Sequence, residues 1–267
     1  MVGLQEPEFV EVAGAHLECL RIQGNQAQET LVFLHEGLGS VALWGDFPRR
    51  VAQATGLAVL VYSRAGYGRS TPAALPRQPH YMHDEAFVTL PALLDKLAIA
   101  RPMLIGHSDG ASIALIHAGA QVRPVRALVA LAPHVFVEDV SIASIQRAKQ
   151  AYESTSLREK LARYHDQVDS AFFGWNDIWL APEFRQWNIE PCLHRIRCPV
   201  LLIQGRDDEY GTLAQLDAIE RQIAAPVERI VLADCGHSPH RDQPQPTLAA
   251  ITGFVSRLLS EEGRAHS

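Results

Sequence analysis

The chain has 267 residues, 47% of them hydrophobic and 20% charged. That is enough for one large α/β domain whose core needs neither disulfides nor a structural metal. With 24 basic and 30 acidic residues the net charge is −6. This excludes the basic footprint of a nucleic-acid binder and gives no support to an anionic membrane surface as partner. The four cysteines, Cys19, Cys192, Cys198 and Cys235, are scattered and form no C-x-x-C pair, so no zinc site or disulfide framework is signalled. The first residues lack the basic and apolar regions of a secretory leader. The most apolar window, Met103 to Val122, is interrupted by His107, Ser108, Asp109 and His117 and does not read as a membrane span. The expectation is a cytoplasmic, reduced protein, monomeric or a small homo-oligomer, with a small molecule as its partner.

The chain opens with two alternating segments, Phe9–Val12 and His16–Ile22, around Ala13-Gly14, the pattern of a β-hairpin. Leu31–Leu34 is a short apolar run ending in His35-Glu36-Gly37-Leu38-Gly39-Ser40. Helical spacing follows over Trp44–Thr55. Leu57–Tyr62 is a second apolar run, closed by Arg64-Ala65-Gly66-Tyr67-Gly68. The spacing of Phe87, Leu90, Leu94 and Leu97 predicts a helix over His83–Ile99. Pro102–Ile105, Val125–Ala132, Pro199–Gln204 and Val227–Ala233 read as strands. Helices are expected from the elbow to Ala120, over Thr212–Ala224 and over Pro244–Leu259. Unbroken apolar strands alternating with helices point to an α/β fold with a mostly parallel central sheet, led by an antiparallel hairpin. The tail from Glu261 to Ser267 is polar and expected to fray.

One stretch breaks the alternation. Residues 134–195 hold helix-like segments at Ser141–Ser154 and Leu157–Val168. They also hold an aromatic run with Phe172, Phe173, Trp175, Trp179, Phe184 and Trp187, and three of the four tryptophans. This predicts an inserted helical cap over a core formed by residues 1–133 and 196–267. Phe172, Phe173, Trp175 and Trp179 are candidates for lining an apolar small-molecule pocket beneath it.

The strongest chemical signal is Gly106-His107-Ser108-Asp109-Gly110. It follows an apolar run and opens a helix, the context in which a G-x-S-x-G turn projects a nucleophilic serine. A serine hydroxyl needs an adjacent base, and that base is usually a histidine oriented by a carboxylate. Gly205-Arg206-Asp207-Asp208-Glu209 follows one predicted strand, and Cys235-Gly236-His237-Ser238 follows the last. Both loops lie at strand C-terminal ends, where parallel sheets place ligands.

Taken together, these motifs resemble the α/β-hydrolase superfamily over nearly the whole chain. His35-Glu36-Gly37-Leu38-Gly39 is similar to its oxyanion loop, and Gly66-Tyr67-Gly68-Arg69-Ser70 to its G-x-G-x-S turn. The chain order Ser108, Asp208, His237 is the family's order. The resemblance implies Asp208 as the acid, since the third residue after the loop glycine holds that role, with Asp207 and Glu209 as competitors. Some relatives place the acid after the preceding strand, where Glu138 or Asp139 stand. The resemblance also implies the backbone N–H groups of Gly37 and Asp109 as oxyanion donors, aided by the dipole of the helix that begins at Asp109.

His107 reads as packed rather than catalytic, and His35 as a brace for the oxyanion loop. His237 and His240 have metal-like spacing but no third ligand, so neither metal nor cofactor is expected. Glu36 stands where the family has glycine. A carboxylate there opposes a developing oxyanion unless it is paired, and the strand order places Arg64 in position to pair with it. Ser63, where relatives often carry aspartate, has no evident chemical role. With Glu36, Leu38, Phe172, Trp175 and Trp179 as substrate contacts, the expected activity is a serine hydrolase. Its substrate would be a carboxylic ester, thioester or lactone of a small, partly apolar molecule. The same residues also serve C–C bond hydrolases, cofactor-free perhydrolases and slow-turnover receptors in this superfamily. Serine at position 108 disfavours the dehalogenases and epoxide hydrolases, which use aspartate there.

Overall fold

The computed structural model describes residues 6–265. Its centre is one eight-stranded sheet in the order β1-β2-β4-β3-β5-β6-β7-β8. β1 (Glu8–Val12) and β2 (Ala15–Ile22) form the predicted hairpin, and β2 pairs antiparallel with β4 (Leu57–Tyr62). The remaining pairs are parallel: β4 with β3 (Gln26–Leu34), then β5 (Met103–His107), β6 (Ala127–Leu131), β7 (Val200–Gly205) and β8 (Val227–Leu232). Every residue of β5, β6 and β7 is buried. These strands are covered on both faces, which is why they read as continuous apolar runs rather than alternating ones.

The helices lie on both faces. α1 (Phe47–Thr55) starts with Pro48 in its first turn and ends on Gly56 at φ 72°, a left-handed stop that glycine adopts without a Cβ penalty. α2 (Tyr81–Asp84) and α3 (Leu90–Lys96) replace the single helix predicted over His83–Ile99; a wider π turn, Glu85–Thr89, joins them. Pro91 explains the break, because it has no N–H to continue the regular ladder. α4 (Asp109–Ala120) is buried along nearly its whole length, as its apolar circumference requires. α9 (Ala214–Gln222), α10 (Pro239–Asp242) and α11 (Pro244–Ala265) complete the framework. The last helix therefore runs through part of the tail expected to fray; Ser267 lies outside the described residues.

Between β6 and β7 the chain forms α5 (Asp139–Ser154), α6 (Leu157–Leu161), α7 (Val168–Leu180) and α8 (Glu190–Leu193), with a single antiparallel bridge between Phe136 and Asn188. The helix expected over Leu157–Val168 ends early. His165 turns inward, accepting the Gly68 N–H at 3.0 Å and donating to the Leu38 carbonyl at 2.9 Å, and a straight helix could not deliver that ring. The aromatic run is itself helical. Val168, Ala171, Phe172, Trp175, Ile178 and Trp179 are buried, and their spacing is that of one helix face. No helix among the described residues is long and apolar enough to cross a membrane.

Candidate active site

The site forms at the C-terminal ends of adjacent parallel strands. Ser108 follows β5 and opens α4 with φ 52° and ψ −118°. A non-glycine residue in this region stores about 1–3 kcal/mol of strain, and such strain concentrates at functional turns. The flanking glycines allow it. A Cβ on Gly106 would fall 2.4 Å from the Gly110 carbonyl oxygen, and one on Gly110 would fall 2.1 Å from that of Leu34. Both obstacles are backbone and cannot swing away. Gly110→Ala is therefore expected to destabilise the protein by about 3 kcal/mol, the upper end for an overpacked site, measured by denaturant unfolding.

Asp208 follows β7 and His237 follows β8. His237 Nε2 lies 2.9 Å from Ser108 Oγ, and His237 Nδ1 lies 2.8 and 3.0 Å from the two Asp208 carboxylate oxygens. Asp208 Oδ1 also accepts the Tyr210 and Gly211 N–H groups, and Oδ2 accepts Gln204 Nε2. Every neighbour donates, so the site holds an ionised carboxylate. Burial works against that charge, but His237 and the Tyr210 N–H outweigh it and lower the Asp208 pKa. For His237, burial opposes the imidazolium, yet the hydrogen bond and charge of Asp208 raise its pKa above the ordinary value of 6.5.

The competing acids are engaged elsewhere. Glu209 accepts the His237 backbone N–H at 3.1 Å, and Asp207 is exposed. Glu138 accepts from Thr212 and Gln215, and Asp139 from Arg185.

Two histidines brace the elbow. His35 is fully buried; its Nδ1–H donates to the Glu36 carbonyl at 2.7 Å and its Nε2 accepts the Arg64 N–H at 3.0 Å. His107 is also fully buried, and its Nε2–H donates to the His237 carbonyl at 2.7 Å, tying the strand that leads to Ser108 to the loop that carries His237. His240 packs between Trp44 and Phe47. Among the described residues, no three His, Cys, Asp or Glu side chains gather as a metal site.

The expected pairing of Arg64 with the Glu36 carboxylate does not occur. Strands β3 and β4 do place Arg64 beside this loop, but its guanidinium donates to the carbonyl oxygens of His35 and Glu36 and stands 4.0 Å from Asp109 Oδ2. The Glu36 side chain turns the other way, 3.4 Å from His107 Nδ1 and 3.6 Å from Arg241. Burial would push this carboxyl up; His107 and Arg241 instead hold it well below the ordinary range. Each of the two acids beside the loop thus has its own cation. Ser63 gains a structural role, accepting the Val41 N–H and donating to Glu18.

Ser108 opens onto a cavity of about 210 Å³. Glu36, Gly37, Leu38, Trp175 and Trp179 line it, as does Asp109. The Trp175 indole lies so close to Gly37 that a Cβ there would fall 2.2 Å from its Nε1. Phe172 does not reach the cavity: it is fully buried, stacked on Tyr152 with ring centroids 3.7 Å apart. Phe173 turns to the same ring's edge. Phe172 shares the buried face of α7 with Trp175 and Trp179, but only those two line the cavity, while Phe172 packs one turn earlier against Tyr152. Residues with no motif complete the lining, including His134, Ile145, Leu161, Tyr210 and Arg241. His134 is buried and neutral, its pKa pushed down to about 3 by burial and by His237.

A hydrogen-bonded Ser–His–Asp line at the ends of parallel strands, opening on a small cavity, defines an α/β hydrolase by architecture. The comparisons agree: the chain belongs to the alpha/beta hydrolase family, whose model matches residues 31–250. It is 34% identical over 261 residues to the sn-1-specific diacylglycerol lipase ABHD11 of Danio rerio, covering 84% of this chain and 78% of that one. It is 27% identical over 260 residues to a 2-hydroxy-6-oxononadienedioate/2-hydroxy-6-oxononatrienedioate hydrolase of Paraburkholderia xenovorans, covering 86% and 88%. Among solved structures, the proline iminopeptidase of Mycobacterium smegmatis superposes with a TM-score of 0.74 at 17% identity, over 95% of this chain and 98% of that one.

Proposed function

We propose that this hydrolase cleaves a carboxylic ester, thioester or lactone of a small, partly apolar substrate through an acyl-enzyme on Ser108. The observation that carries the reading is the unbroken line from Asp208 through His237 to Ser108 Oγ, with hydrogen bonds of 2.8 and 2.9 Å. Ser108 attacks the carbonyl carbon as His237 Nε2 takes its proton. Asp208 keeps the Nδ1–H in place and stabilises the imidazolium. The tetrahedral oxyanion faces the N–H groups of Gly37 and Asp109. His237 then protonates the leaving group and next activates water to release the acid. Residues 134–195 serve as a cap: Trp175 and Trp179 close the apolar side of a cavity whose volume suits a small acyl group.

The test is intact-mass analysis after mixing with p-nitrophenyl butanoate. An added butanoyl group on the peptide containing Ser108, followed by steady turnover, is the expected result. Acylation without turnover would favour a receptor. A folded protein that never acylates would overturn the ester reading in favour of C–C cleavage, the reaction class of the Paraburkholderia relative.

The pH profile follows from the same geometry. His237 must be neutral to accept the serine proton, and Asp208 raises its pKa above 6.5. As pH falls through that raised value, the imidazole charges and activity falls. An acid limb of kcat/KM centred above 6.5 is expected, and a flat profile down to about pH 5 would exclude His237 as the base.

A further inference from the structure

Of the four tryptophans, one has an indole N–H that the fold leaves unused and open. The Nε1 atoms of Trp44 and Trp187 are sealed from solvent with no partner among the described residues. Trp179 Nε1–H donates to the Tyr81 hydroxyl at 3.1 Å. Trp175 Nε1–H donates to no acceptor among the described residues, yet unlike those of Trp44 and Trp187 it is not sealed off. The side chain is 7% exposed, and the open space it borders is the cavity of Ser108. A buried donor with no partner is costly unless something else meets it.

Its position says what it meets. A Cβ on Gly37 would fall 2.2 Å from Trp175 Nε1 and 2.3 Å from Cδ1. The polar edge of the indole, not its benzo ring, therefore packs on the oxyanion loop. The Gly37 N–H has no acceptor among the described residues. Its peptide plane is fixed from the other side, because the Glu36 carbonyl accepts His35 Nδ1–H at 2.7 Å, Arg64 at 3.0 Å and the Gly39 N–H at 3.1 Å. In a trans peptide the N–H points opposite the carbonyl, so the Gly37 N–H is directed away from these three donors. The Asp109 N–H, at the first position of α4, has no partner within its helix. Helix α7 carries the indole to this place and is itself pinned to α5, since Asn176 Nδ2 donates to the Ile145 carbonyl at 2.9 Å.

We infer that the Trp175 indole N–H is a third donor to the oxyanion, contributed by the cap. This rests on the acyl-enzyme reading above. As Ser108 Oγ bonds to the carbonyl carbon and its proton passes to His237 Nε2, the carbonyl π pair moves onto the oxygen. That oxygen accepts the N–H groups of Gly37, Asp109 and Trp175. A donor held in place beforehand needs no reorganisation when the charge develops.

Two replacements test this by removing the donor and keeping an aromatic ring. One is Trp175→Phe. The other is benzothienylalanine at the same position, in which sulfur stands where the indole has N–H; it keeps the indole shape and so guards against a packing defect in the first. Each is assayed for kcat/KM on p-nitrophenyl butanoate and for inhibition by two compounds with the same propyl chain. The trifluoromethyl ketone forms a hemiketal with Ser108 that carries an oxyanion, whereas butanamide stays planar and neutral. Both replacements are expected to lower kcat/KM and weaken the ketone in parallel, by about 10²-fold, the loss seen when one oxyanion donor is removed. Butanamide should change by no more than a few-fold. A benzothienyl variant with wild-type kcat/KM and ketone affinity would overturn the inference, whatever the folding of Trp175→Phe. So would equal losses for ketone and amide, which mark a packing role. In either case, acylation of wild-type Ser108 by butanoate leaves the parent reading standing, and its failure sinks that reading.

Discussion

Ser108→Ala is expected to leave no acyl adduct and to lower kcat by about 10⁶-fold, the scale seen when a serine nucleophile is removed. The effect should be almost entirely chemical. The Ser108 N–H bond to the Leu131 carbonyl and the Ala111 and Ser112 N–H bonds to the Ser108 carbonyl all use backbone atoms, which alanine keeps. The positive φ strains alanine no more than serine, because both carry one Cβ. Only the Oγ contact with His237 is lost, worth about 1 kcal/mol. Denaturant midpoints of the two proteins should therefore nearly coincide while p-nitrophenolate release differs by orders of magnitude. A variant that still forms a butanoyl adduct would show that another residue is the nucleophile.

Asp208→Asn should cost roughly 10⁴-fold in kcat, the scale set when the same change forces the wrong histidine tautomer in serine proteases. Here the surroundings make the substitution awkward at both oxygens. Oδ1 already accepts the Tyr210 N–H at 2.8 Å, and Oδ2 accepts Gln204 at 3.1 Å. An amide NH₂ placed at either position faces a donor. If it turns toward His237, Nδ1 must become the acceptor and the proton moves to Nε2. That nitrogen then cannot take the proton of Ser108. Asp207→Asn, at an exposed side chain, should change kcat by no more than a few-fold. The reverse ranking of these two variants would move the acid to Asp207.

Much of this was legible before any coordinates. The fully buried strands betrayed themselves as unbroken apolar runs, and the loops carrying Ser108, Asp208 and His237 each followed a predicted strand. Gly106 and Gly110 were informative because the close approach of backbone at the elbow leaves no room for a Cβ. Leu157–Val168 was misjudged for a long-range reason. His165 bonds to Gly68 and Leu38, far away in sequence, and no local pattern announces such a contact. The aromatic helix did carry a signal in its 3.6-residue spacing, masked by the sheer density of aromatic residues. Phe172 was indistinguishable from Trp175 by type and lies on the same helix face; only the stacking of Phe172 on Tyr152 separates them.

The sequence alone therefore determined the fold class and the family resemblance, because each rests on short-range patterns of turn, strand and helix, and the resemblance in turn implied Ser108, Asp208 and His237 as the candidate site, with Asp207 and Glu209 as competing acids. The tertiary structure decided which charges neutralise each other. Arg64 and Glu36 come from adjacent strands, yet the Glu36 side chain departs toward His107 and Arg241 and leaves Arg64 nearest Asp109. It also decided that Tyr81, with no motif around it, meets Asp109 across the core. Side-chain direction depends on the packing of segments dozens of residues apart, and that information exists only once the chain has closed on itself.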